Sequence, residues 1–159
     1  MLVKYEILTP MLKQDLIKCY LDNKNIRTDI LIVANTYTNT SYDMLTKKLS
    51  LLNAIINKDL FKYYQKHPEM RIAYYCNHES VPNNTHSHIL LSLPDRYNNR
   101  NDAKIILDMM KSKFLYLDDR ETASDPFDIY FDMNVKSEFK NVRYAIKKYH
   151  PDATTHITI

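Results

Sequence analysis

Glycine is absent from all 159 residues, against an average usage of about 7%. Without it a glycine-rich phosphate loop cannot be built, which excludes P-loop and dinucleotide-binding fingerprints. Any phosphate this chain handles must be met by side chains, metal ions or helix ends. Asn, Lys, Ile and Tyr are abundant instead, a bias that AT-rich coding would produce. Cysteine is scarce. Cys19 and Cys76 are far apart with no metal-type spacing, so both read as free thiols in a reducing compartment. No apolar run reaches the roughly 18 residues that a membrane span needs. The N-terminal stretch is interrupted by Lys4, Glu6 and Lys13, which does not fit a signal peptide. Neither sign of charge dominates: 22 Lys and Arg stand against 19 Asp and Glu, for a net charge of +3. That permits a nucleic-acid partner without demanding one.

What is present fits a globular chain with one core. Apolar residues make up 45% and charged residues 26%, and the length suits a single domain over residues 1–159. Thr9-Pro10 starts a helix running to about Asp22. Asp29 to Tyr37 (DILIVANTY) reads as a buried strand. Ser41 caps a long helix with the stripe Leu45, Leu49, Leu52 and Ile56, continuing or restarting to Gln65 before His67-Pro68. Arg71–Glu79 and Thr85–Leu93 read as antiparallel partners around the turn-like Ser80–Asn84. Asp102–Phe114 is helical, Asp118–Pro126 a polar loop, and Phe127–Met133 a strand. Ser137 caps a last helix to about Tyr149, and the tail ATTHITI adds a short edge strand. The expected class is α+β: a central, mostly antiparallel sheet flanked by helices.

Within this frame two features carry chemistry. His86 and His88 are one residue apart on a strand. Side chains alternate along a strand, so both imidazoles share a face while Ser87, Ile89, Leu91 and Leu93 turn toward a core. Neutral imidazoles on rigid backbone supply half a coordination shell. The hairpin brings either His78 or Glu79 opposite His86, depending on register. Glu79 would favour a hard cation such as Mg²⁺ or Mn²⁺, and His78 would admit softer metals.

The second feature is a tyrosine on the last helix. Phe139, Val142, Ile146 and Tyr149 form its packing stripe. Tyr144 lies off that stripe beside Lys140, Lys147 and Lys148, with Arg143 at the border. Lysines around a phenol favour phenolate, and phenolate can attack phosphorus. The same cations can hold a phosphate and stabilise charge that develops during transfer.

Together, His86-Ser87-His88 and Tyr144-Ala145-Ile146-Lys147 resemble the motifs of the HUH endonucleases, particularly rolling-circle replication initiator (Rep) proteins with one catalytic tyrosine. That family carries His-hydrophobic-His on a strand and often Tyr-x-x-Lys on a downstream helix. The resemblance spans about Asp29 to Tyr149, and Ser87 departs from it where the family prefers an apolar residue. It implies an HUH-like nuclease domain that nicks and joins single-stranded DNA site-specifically, through a 5′-phosphotyrosine link, to initiate replication of a plasmid or virus. Tyr144 and Lys147 would be the catalytic residues, with Mg²⁺ or Mn²⁺ held by His86, His88 and Glu79 or His78. Lys140, Arg143 and Lys148 would contact DNA at an origin or hairpin. With no phosphate-binding loop for a helicase motor, a host helicase or polymerase would be the partner, in the host cytoplasm and without a membrane.

Two other classes remain open on the sequence alone. A non-catalytic single-stranded nucleic-acid-binding module would use the same tyrosines to stack bases and the same lysines to hold backbone. A transposase- or relaxase-type HUH enzyme would use the same chemistry in another role. His156-Ile157-Thr158 matches half of the H-x-T pair of two-histidine phosphoesterases, but the partner motif is missing around His86.

Overall fold

The structure is a computed structural model that describes residues 30–36, 40–61, 66–81, 84–118, 125–131 and 154–157. The helices expected over residues 10–22 and 137–149 lie outside these residues, as does Cys19. Strand β1 (Ile30–Asn35) is followed by helix α1 (Tyr42–Leu60), then β2 (Ala73–Val81), β3 (Asn84–Ser92), helix α2 (Arg100–Leu117), β4 (Phe127–Phe131) and β5 (Thr154–Ile157). Four antiparallel strands in the order β4-β1-β3-β2 form the sheet, and short β5 extends it by pairing antiparallel with β2. The class is therefore α+β, an antiparallel sheet with two helices packed against it.

Local chemistry sets the helix ends. The Ser41 hydroxyl accepts a hydrogen bond from the Met44 N–H at 3.2 Å, which satisfies one of the free donors of the first turn of α1. Asn99 does the same for α2, accepting from the Asp102 N–H at 3.0 Å. α1 stops at Leu60, and the continuation or restart expected up to Gln65 falls on residues 62–65, outside the described residues. Phe61 turns extended (φ −131°, ψ 102°) while its N–H still donates to the Asn57 carbonyl.

Both helices lie on one face of the sheet. Leu45, Leu49, Leu52 and Ile56 of α1 and Ala103, Ile106, Leu107, Met110 and Phe114 of α2 form a single core with Ile30, Ile32, Tyr74, Cys76, Ile89 and Leu91. Fully burying a side chain of this kind contributes about 1.5–3 kcal/mol relative to leaving it exposed. Two asparagines interrupt the apolar stripe of α1. Asn57 accepts from the Ile72 N–H at 2.8 Å through Oδ1, and Asn53 donates to the Ile72 carbonyl at 2.9 Å. Together they tie the start of β2 to the helix by satisfying buried backbone.

The opposite face carries Leu31 and Val33 of β1, Tyr75 of β2 and Leu90 of β3, all buried. Its polar end, where β2 and β3 meet, holds the candidate site. No helix among the described residues is long and apolar enough to cross a membrane.

Candidate metal centre

The β2–β3 ladder decides which side chains converge. Glu79 stands opposite His86, and Asn77 opposite His88. Directly opposed residues share a face, so Glu79, His86 and His88 meet on the side of the sheet away from the helices. Glu79 Oε2 lies 3.3 Å from His86 Nε2 and 3.1 Å from His88 Nε2. The two imidazoles meet edge to face, with centroids 5.1 Å apart. One ligand atom from each of the three residues falls within 4.8 Å of the other two.

These separations suit a cation. Two ligand atoms each about 2.1 Å from an ion are about 3.0 Å apart in octahedral coordination and about 3.4 Å apart in tetrahedral coordination. The observed 3.1 and 3.3 Å fall between these values. The side chains of Glu79 and His86 are each 14% exposed and that of His88 is 7% exposed. The cluster is thus shielded yet still open to a ligand. Without a cation, the His88 Nε2–H donates to the Glu79 carboxylate; a bound cation would instead require each imidazole to offer a nitrogen lone pair. Two imidazoles and a carboxylate leave coordination positions for a substrate oxygen, as an open site requires.

No family model, curated protein or solved structure matches this chain.

Of the two candidates for third ligand, the structure brings Glu79 to the histidines and sends His78 to the other face. His78 pairs with Ser87 and is buried against α1, so its place among the ligands is corrected. Its Nδ1 lies 2.9 Å from Ser87 Oγ and its Nε2 lies 2.8 Å from Thr46 Oγ1. Burial there lowers the His78 pKa to about 4, so the ring stays neutral. Ser87 faces the helices, as strand alternation requires, and makes its hydrogen bond there.

A second anchor holds the start of β3. The Thr85 carbonyl accepts from both the N–H and the hydroxyl of Thr36, at 3.1 and 2.7 Å. The Thr85 hydroxyl donates to the Thr40 carbonyl at 2.7 Å and accepts from the Thr40 N–H at 3.3 Å. The residue preceding His86 is therefore bound to the segment that links β1 to α1. Sequence reading missed this anchor because Thr36, Thr40 and Thr85 look like ordinary strand-end threonines. It also missed Asn35, which stands opposite His86 in β1 and widens the polar end of the face. The alternation of ILIVAN was the available signal.

Two other potential nucleophiles, Cys76 and Tyr74, are closed off by burial. Both are fully buried in the core, and desolvation pushes both the thiol and the phenol well above their ordinary pKa values. Tyr144, Lys147, Lys140, Arg143 and Lys148 lie outside the described residues.

Proposed function

We propose that this protein is a metal-dependent nuclease that nicks and rejoins single-stranded DNA through a covalent tyrosine link, in the manner of the HUH Rep proteins its motifs resemble. The observation that carries the reading is the convergence of Glu79, His86 and His88 on one face of an antiparallel sheet. The Glu79 carboxylate is the donor that suits Mn²⁺ or Mg²⁺, while the two imidazoles also admit softer divalent ions; such an ion, when bound, would polarise a non-bridging phosphate oxygen. The sequence supplies the remaining parts.

In this reading Tyr144 gives up its phenolic proton, and its Oη attacks the scissile phosphorus. The new phosphorus–Oη bond forms as the phosphorus–O3′ bond breaks. The O3′ leaves with the bonding pair and takes a proton, which yields a 5′-phosphotyrosine and a free 3′-OH. Rejoining reverses these steps, with the 3′-OH as nucleophile and Oη as leaving group. Lys147 offsets the charge on phosphate and phenolate. Lys140, Arg143 and Lys148 hold the flanking backbone, where each phosphate contact adds salt-dependent affinity.

The test is covalent capture. A pool of single-stranded oligonucleotides is incubated with the protein and Mn²⁺, and the products are run under denaturing conditions. The expected result is a protein–DNA adduct that Tyr144→Phe abolishes. DNA retarded on native gels with no adduct from any sequence would instead identify a binding module.

A further inference from the structure

Directly behind the cluster, on the helix-packed side of the sheet, polar side chains interrupt an apolar core. His78 is 2% exposed. It bridges Ser87 of β3 and Thr46 of α1 through its two ring nitrogens, and its ring lies 5.7 Å from that of Tyr42. A buried polar bridge of this kind is costly unless every partner is satisfied, and an apolar trio of similar volume would pack there without that demand. Its position is informative. The His78↔Ser87 pair is the next rung of the ladder after Glu79↔His86. Ser87 sits between His86 and His88, and His78 sits immediately before Glu79.

We propose that the Thr46–His78–Ser87 bridge is a register latch for the candidate metal centre, with His78 as a positioning residue that keeps Glu79 on the face of His86 and His88. The proposal rests on reading that cluster as a metal centre. A one-residue slip of β2 exchanges the faces of His78 and Glu79. The slipped hairpin would present three imidazoles to the metal and push a carboxylate into the core beneath α1. It would also break both hydrogen bonds of His78. The bridge ties the two strands to each other and to the helix, so it opposes the slip from two directions. The latch thereby keeps one carboxylate in the donor set, which shifts its preference toward harder cations relative to an all-imidazole set. Partners that orient metal ligands typically change metal affinity by about 10–100-fold when removed.

The experiment compares wild-type protein with Ser87→Ala, Thr46→Val, His78→Asn and His78→Leu. Mn²⁺ affinity is followed by electron paramagnetic resonance of the free ion, and thermal unfolding of each metal-free protein is recorded alongside. Ser87→Ala and Thr46→Val are expected to weaken Mn²⁺ binding by roughly 10-fold or more. His78→Asn keeps an amide within reach of Ser87 and should retain more affinity than His78→Leu. Thr46→Val, on the helix, carries the test if Ser87→Ala does not fold. Lowered melting temperatures with unchanged Mn²⁺ affinity would overturn the latch and leave the bridge as core packing. Failure of the wild-type protein to bind Mn²⁺ would instead overturn the metal reading. The register is then read directly from cross-strand amide contacts by nuclear magnetic resonance. A single set that keeps Glu79 opposite His86 in both single-arm variants defeats the latch, whereas a shifted or doubled set supports it.

Discussion

Glu79 and His86 face each other across the β2–β3 ladder, with Oε2 and Nε2 3.3 Å apart, and the same carboxylate oxygen lies 3.1 Å from His88. One oxygen serving two imidazoles makes Glu79 the hub of the cluster. Its chemistry should therefore set the metal preference. Glu79→His is expected to weaken Mn²⁺ binding by at least about 10-fold while Zn²⁺ binding persists, because imidazole suits the softer ion. Competitive titration of the two metals against wild-type and variant protein checks this.

Metal should also stabilise the fold by mass action. At a free Mn²⁺ concentration about 100 times its dissociation constant, the native state gains about 2.7 kcal/mol. Thermal unfolding should shift upward on Mn²⁺ addition and return on chelation. Removing an imidazole by His86→Ala or His88→Ala should abolish most of the shift.

The metal-free protein should lose stability in acid through His78. The unfolded ring takes up its proton near pH 6.5, but the folded ring does so only near pH 4, because burial disfavours the imidazolium. Between those values the unfolded chain binds more protons. The contribution of His78 is thus complete above pH 6.5 and falls as pH drops toward 4, by at most about 1.4 kcal/mol per pH unit. Urea unfolding of wild-type and His78→Asn protein across pH 4–7 isolates this slope as a difference.

The asparagine pair of α1 gives a stability test remote from the metal. Asn57→Ala removes the acceptor of the buried Ile72 N–H, while Asn53 still serves the Ile72 carbonyl. The orphaned donor and the small cavity together should cost about 2–4 kcal/mol, measurable as a lower urea midpoint with Mn²⁺ binding retained.

Much of this arrangement is legible in the sequence. Period-two alternation in THSHILLSL puts His86 and His88 together and sends Ile89 and Leu91 to the core. The stripe of α1 from Leu45 to Ile56 and the Ser41 cap appear where expected. The tail pairs at the sheet edge over Thr154–Ile157. The hairpin register is not legible, because Ser80–Asn84 reads as a turn of uncertain length. In the structure both strands run further, to the Val81↔Asn84 pair, and that tight closure chooses Glu79 over His78. α2 begins at Arg100, two residues before the expected Asp102, because Asp102 also looks like a helix start. The tertiary roles of Asn53, Asn57 and Thr85 have no local signature. Each side chain binds backbone more than a dozen residues away.

The most direct test of the central claim is the position of a bound cation. Crystals soaked in Mn²⁺ should give an anomalous difference peak about 2.1–2.3 Å from Glu79 Oε2, His86 Nε2 and His88 Nε2. The peak should be missing in the double variant His86→Ala, His88→Ala. Density for Mn²⁺ only at other carboxylates, or a Glu79–His86–His88 trio that stays hydrogen-bonded and metal-free at saturating Mn²⁺, would contradict the account.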